Sequence, residues 1–136
     1  MADNQYMQNF LHPPKKPPKP MMKVFPDGRE VLNLLTKAGS DEYQRRKFEM
    51  WDGRQGKRCA LQITDICRQR QGRWPRNEIQ FDHENGRGTG GSKRDDRIEV
   101  LDPETGKMKP QNGAVCPYCN SEKSSQKIPY ITILVP

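Results

Sequence analysis

Four cysteines constrain this chain more than any other feature. Cys116-Pro117-Tyr118-Cys119 is a C-x-x-C pair, and that spacing lets two thiolates grip one tetrahedral ion at about 2.3 Å each. Cys59 and Cys67, with seven residues between them, are the other two. They matter because the rest of the chain is poor in core material. Of 136 residues, 32% are hydrophobic and 30% are charged, so one domain of this length has a marginal core and needs a staple. A redox pair is the alternative reading of Cys116 and Cys119, but no thioredoxin-like strand and helix surround them. Disulfides are the weaker reading, because the sequence shows no apolar leader and the expected compartment is a reducing cytoplasm. The pattern predicts a structural zinc on Cys59, Cys67, Cys116 and Cys119, with no position open to water.

The net charge of +7 and a pI near 9.4 favour a polyanionic partner, most simply nucleic acid. No apolar run reaches the length of a membrane span, and no membrane partner is expected. Residues 1–20 alternate Pro13, Pro14, Pro17, Pro18 and Pro20 with Lys15, Lys16 and Lys19. Such a run favours extended backbone and reads as a disordered basic tail, with His12 inside it. Residues 21–136 form the expected folded domain.

Within that domain, Met22–Phe25 reads as a short strand and Pro26-Asp27-Gly28 as a turn. Val31, Leu32, Leu34 and Leu35 bunch as one helical segment ending at Gly39. A second helix spans 40–54, capped by Ser40 with Asp41 and Glu42 in its first turn. Tyr43, Lys47, Met50 and Trp51, with Phe48, share one face of it. Arg45, Arg46, Arg54, Lys57 and Arg58 face either DNA or solvent. Arg68–Asn77 reads as a loop anchored by Trp74-Pro75. Glu78-Ile79-Gln80-Phe81 alternates polar and apolar as a strand. Two strands then flank the turn Asp102-Pro103-Glu104-Thr105-Gly106, with apolar contacts from Ile98, Val100, Ala114 and Val115. A short polar helix lies within 116–127, and Tyr130–Val135 has the β-branched content of a last strand.

Of the two histidines, His83 is the one placed for chemistry. It follows Asp82 at the end of the 78–81 strand and precedes the segment Gly86-Arg87-Gly88-Thr89-Gly90-Gly91. An imidazole between a strand and a basic glycine loop suits a general base beside a phosphate, and the carboxylate next to it suits a metal ion. The plain alternative is a surface histidine ending a strand. The loop is no Walker phosphate loop, because the Gly-Lys-Ser/Thr ending is missing.

Taken in order, Asp82-His83, Asn112 and Cys116-x-x-Cys119-Asn120 resemble the HNH endonucleases, in particular their zinc-stapled ββα-metal branch. The likeness covers about residues 40–127. Arg58-Cys59-Ala60-Leu61 resembles the first cysteine knuckle, and Gly90-Gly91 the connecting loop. Three departures stand out. The first cysteine pair is stretched. Asn112 sits a residue closer to Cys116 than in the family, so Gln111 competes for its role. Asn120 replaces a histidine.

The resemblance implies an α+β fold: a small ββα-metal nuclease core stapled by zinc, a helical N-terminal extension and the Pro/Lys-rich tail. It implies a phosphodiester hydrolase in which His83 is the general base and Asp82 and Asn120 hold Mg²⁺ or another divalent ion. Asn112 would orient the histidine loop. Arg87, Arg94, Arg97 and Lys123 would contact phosphates of double-stranded DNA. Asp95 and Asp96 are either secondary ligands or solvated loop charges. A zinc-ribbon nucleic-acid-binding module without catalysis is the rival reading, and an adaptor acting through the proline tail is a third.

Overall fold

The computed structural model describes residues 19–87, 91–124 and 126–131. The expected tail up to residue 18, with His12, lies outside them. So do Gly88-Thr89-Gly90 and residues 132–136, which include 132–135 of the expected last strand. The described residues form a small mixed α+β structure built from three α-helices and three two-stranded antiparallel sheets.

Strands β1 (Met22–Val24) and β2 (Glu30–Leu32) form the first sheet, with Met22 opposite Leu32. The helix expected at 31–35 is absent. Leu32 gives its N–H to the Asp96 carboxylate at 2.8 Å, and the Asn33 side chain takes the Leu35 N–H at 3.1 Å. These competing acceptors hold the segment as a strand and then a turn. Leu35 is left 88% exposed.

Helix α1 (Lys37–Phe48) starts a turn before Ser40, because Thr36 is its N-cap and accepts the Gly39 N–H at 3.0 Å. Gly39 therefore does not stop a helix; it sits in the first turn of one. A Cβ there would lie 2.0 Å from the Asn33 carbonyl oxygen, so only glycine fits. The helix widens into a π-helical turn, Glu49–Arg54, that buries Met50 and Trp51. Tyr43, Met50 and Trp51 are the buried part of the expected face; Lys47 reaches the Ile79 carbonyl. Arg45, Arg46 and Arg54 pair with Glu42, Glu30, Glu49 and Glu99 and are not turned to a partner.

Helix α2 (Asp65–Gln69), capped by Thr64, enters the stretch expected as loop from Arg68. Arg76–Glu78 is a 3₁₀ turn leading into β3 (Gln80–His83). Strands β4 (Glu99–Leu101) and β5 (Met108–Pro110) form a hairpin. Ala114 and Val115 do not belong to it. They lie on β6 (Asn112–Val115), which pairs with β3 and sets His83 opposite Asn112. Helix α3 (Pro117–Lys123) follows at once.

The β3–β6 pair runs through all three apolar clusters. Val115 packs with Ala60, Leu61 and the four cysteines. Ala114 and Ile79 pack with Met50 and Trp51. Phe81 packs with Leu32 and Tyr43. Each buried Leu or Met contributes roughly 1.5–3 kcal/mol. The outer edge of β6 is closed by Gln55, whose amide bonds both the N–H and the carbonyl of Ala114, at 2.8 and 2.7 Å.

Candidate metal centre and cleft

The four cysteines meet across the chain. All are buried, and their sulfurs lie within 4.8 Å of one another. A tetrahedral ion bound at about 2.3 Å needs sulfurs about 3.8 Å apart, which is within reach of this cluster. Each sulfur also has a donor. Cys59 faces the Cys116 N–H at 3.3 Å and Cys67 the Trp74 indole N–H at 3.3 Å. Cys116 faces the Cys119 N–H at 3.3 Å, and Cys119 faces the Ile63 N–H and Thr64 hydroxyl at 3.4 Å each.

Thiol contacts from Cys116 and Cys59 hold the Cys119 sulfur well below the usual thiol range. Contacts from Cys116 and Cys119 push Cys59 far up, and the contact from Cys119 pushes Cys116 up to about 12. Four sulfurs this close ionise together only when a cation shares their charge. The donor set fits a soft-ligand metal ion such as zinc.

A cleft of about 440 Å³ lies beside the cluster. Its walls are Phe81, Asp82, His83, Gly86, Arg87, Asn120, Lys123 and Ser124. β3 brings Asp82 and His83, and α3 brings Asn120 and Lys123. The cysteine cluster sits at the start of α3, so whatever closes it also aims this helix.

His83 is 5% exposed and held on both ring nitrogens. Nε2 lies 2.7 Å from Asp96 Oδ1. Nδ1 lies 3.3 Å from Arg87 Nε, and a guanidinium can only donate. Nδ1 is therefore the acceptor and Nε2 carries the proton to Asp96. Arg87 is steadied by the Tyr43 hydroxyl at 3.1 Å.

Asp96, expected as a secondary metal ligand or a solvated charge, is not solvated. It is fully buried and also takes the Leu32 N–H and the Nε and Nη2 donors of Arg94, the latter two at 3.0 and 2.7 Å. Burial pushes its carboxyl up, but His83, Arg94 and the Leu32 N–H together hold it below the ordinary value.

Asp82 is equally enclosed. Lys123 Nζ is 3.3 Å from Oδ1, and the Tyr130 hydroxyl is 2.8 Å from Oδ2. Burial, with the negative charge of Asp82, pushes the Tyr130 phenol well up. Asn120 gives its Nδ2 to Gln80 at 2.6 Å, which leaves Oδ1 as the atom it could offer to a metal. A carboxylate and an amide oxygen on one cleft suit a hard cation that keeps several waters.

Asn112 donates to the Asp95 and Arg97 carbonyls at 2.6 and 2.7 Å, tying down the loop that carries Asp96. Gln111 shares only the Arg97 carbonyl, at 2.8 Å.

Of the four candidate phosphate contacts, only Arg87 presents its guanidinium at the cleft. Arg94 is paired with Asp96 and Arg97 with Asp95. Lys123 is fully buried, donating to the His83 carbonyl at 2.9 Å. The roles of Asp96, Tyr43 and Tyr130 were not legible in the chain, since each reaches its partner across 13 to 48 residues. Compared with protein-family models, with curated proteins and with solved structures, the chain finds no match.

Proposed function

We propose that this chain is a metal-dependent HNH endonuclease that hydrolyses phosphodiester bonds in DNA, with a structural zinc on its four cysteines. The observation that carries the reading is the state of His83. With Nε2–H given to Asp96, its one lone pair is at Nδ1, beside Arg87 and in a cleft that also holds Asp82 and Asn120. A noncatalytic binding module has no use for that arrangement.

In the reaction, Nδ1 takes a proton from water as the water oxygen bonds to phosphorus and the P–O3′ bond breaks, and the leaving O3′ takes its proton from solvent water. The buried Asp96 carboxylate balances the imidazolium that results. Arg87, which donates to Nδ1 in the free protein, turns its guanidinium to the incoming phosphate, and that frees the lone pair. Lys123 and Tyr130 hold the Asp82 carboxylate at a fixed angle, and Asn112 holds the loop behind His83. A divalent ion on the oxygens of Asp82 and Asn120, Mg²⁺ by the preference of hard oxygen ligands, would supply charge stabilisation to the phosphate and the leaving oxygen.

Supercoiled plasmid incubated with and without Mg²⁺ tests this. Cleavage is expected only with the ion. His83→Ala should slow it by about 10²–10⁴-fold, the usual contribution of a general base, with zinc content unchanged. No cleavage with Mg²⁺ or Mn²⁺, or a His83→Ala protein that cuts as fast as the parent, would move the zinc-ribbon binding module ahead.

A further inference from the structure

The positive charge of this protein is unevenly available. Arg46, Arg54, Arg94 and Arg97 are each engaged by a carboxylate, with side chains no more than 29% exposed. Residues 68–77 are different: they hold Arg68, Arg70, Arg73 and Arg76 and no acid, and all four arginines are exposed. Three of them are set in place by contacts that leave their outer surface to water. The Arg70 guanidinium lies 4.1 Å over the Trp74 ring, and its Nε bonds the Arg73 carbonyl at 2.9 Å. The Arg76 guanidinium lies 3.6 Å over Phe48 with its side chain still 58% exposed. Arg68 bonds the Ile63 carbonyl at 2.7 Å with its side chain 54% exposed. The neighbouring carboxylates Asp52 and Asp65 make only exposed pairs, which hold little energy.

The geometry points to this array as the surface that docks the phosphate backbone of duplex DNA beside the cleft, a role that rests on the nuclease reading above. A guanidinium stacked on a ring keeps its N–H edge for phosphate oxygens and loses little rotamer freedom on binding. The array also leads into the cleft. The Arg76–Glu78 turn runs directly into β3, where Gln80 bonds Asn120 at 2.6 Å. Six residues from Arg76 to Asp82 span at most about 20 Å, roughly six base pairs at 3.4 Å each. A duplex with one phosphate in the cleft is therefore long enough to reach the array.

The test is binding of the zinc-loaded full chain to a labelled duplex of about 20 base pairs, without Mg²⁺, from about 50 to 300 mM salt. One variant carries Arg70→Gln, Arg73→Gln and Arg76→Gln. Its control, with the same loss of charge outside the array and the cleft lining, carries Lys23→Gln, Lys37→Gln and Lys107→Gln. Three lost phosphate contacts should flatten the slope of log K against log salt by about 2.7 in the first, and by less than about 1 in the control. If the triple variant misfolds by circular dichroism, Arg73→Gln alone should flatten the slope by about 0.9. Equal shifts in array and control, or a parent slope near zero, overturn the proposal. A parent that binds with the expected slope yet never cuts plasmid ends the nuclease reading and leaves the docking surface standing. A parent that cuts while the array variant binds like it does the reverse.

Discussion

Asp96 takes four hydrogen bonds with none of its surface exposed: one with His83, two from Arg94 and one from the Leu32 N–H. It is at once the partner of the proposed base and the counter-charge of a half-buried arginine. Asp96→Asn keeps the size and removes the charge. It should cost stability toward the lower end of about 3–5 kcal/mol, because Arg94 is left unpaired but keeps some contact with water. It should also slow plasmid cleavage by more than about tenfold, with His83 no longer balanced when protonated. The acid limb of stability provides a separate reading. The carboxyls of Asp96 and Asp95 are both held below their ordinary value, so the unfolded chain binds more protons around pH 4, and their stabilisation is present above about that pH. It is lost as pH falls through their folded-state values. Urea midpoints should therefore fall less on acidification in Asp96→Asn than in the parent; identical slopes would remove Asp96 from this role.

Elements of this chain begin and end where a side chain or a distant carboxylate takes a backbone N–H. Thr36 starts α1, Thr64 starts α2 and Cys116 starts α3. The last of these couples a capping contact to a candidate metal ligand, since the Cys116 sulfur takes the Cys119 N–H. Gly39 shows how local crowding reverses a general rule. In a helix, Gly→Ala ordinarily stabilises by about 1 kcal/mol. Here the added Cβ would lie 2.0 Å from the Asn33 oxygen, so Gly39→Ala should destabilise, by about 1–3 kcal/mol in the manner of an overpacked site. A rise in the denaturant midpoint of Gly39→Ala would show that the turn before α1 yields freely.

Across the whole molecule, the cysteine cluster is a large part of the core. It supplies four of the seven buried residues in the apolar cluster around Val115, and it anchors both the 59–67 segment and α3. Metal analysis should find about one zinc per chain, as the ligand count of such a site requires. Chelation should abolish cooperative unfolding, given apparent binding energies of about 10–16 kcal/mol for structural zinc. A chelated protein that keeps its fold and four reactive thiols would show that the apolar clusters suffice alone. No described helix is long and apolar enough to cross a membrane.

The amino-acid sequence by itself determined the chemistry available: that Cys116 and Cys119 pair by spacing, that a strand delivers Asp82-His83 at its end, and that a short polar helix lies within 116–127. These are local facts, readable from period, capping and ligand spacing. Tertiary structure alone decided which charges meet. Asp95 and Asp96 read as loop acids, and only the approach of β2, whose Leu32 N–H reaches into the loop, buries Asp96 against His83. The same closure turns Arg94 and Arg97 inward, and the packing of α3 on β3 hides Lys123, so the exposed arginines include Arg87 at the cleft and those of 68–76. Val31–Leu35 is the matching case for the backbone: its apolar run suits a helix, but acceptors on Asn33 and Asp96 claim its N–H groups. A hydrogen bond across 64 residues leaves no trace in the spacing of a sequence, and in a core this thin such bonds outweigh propensity.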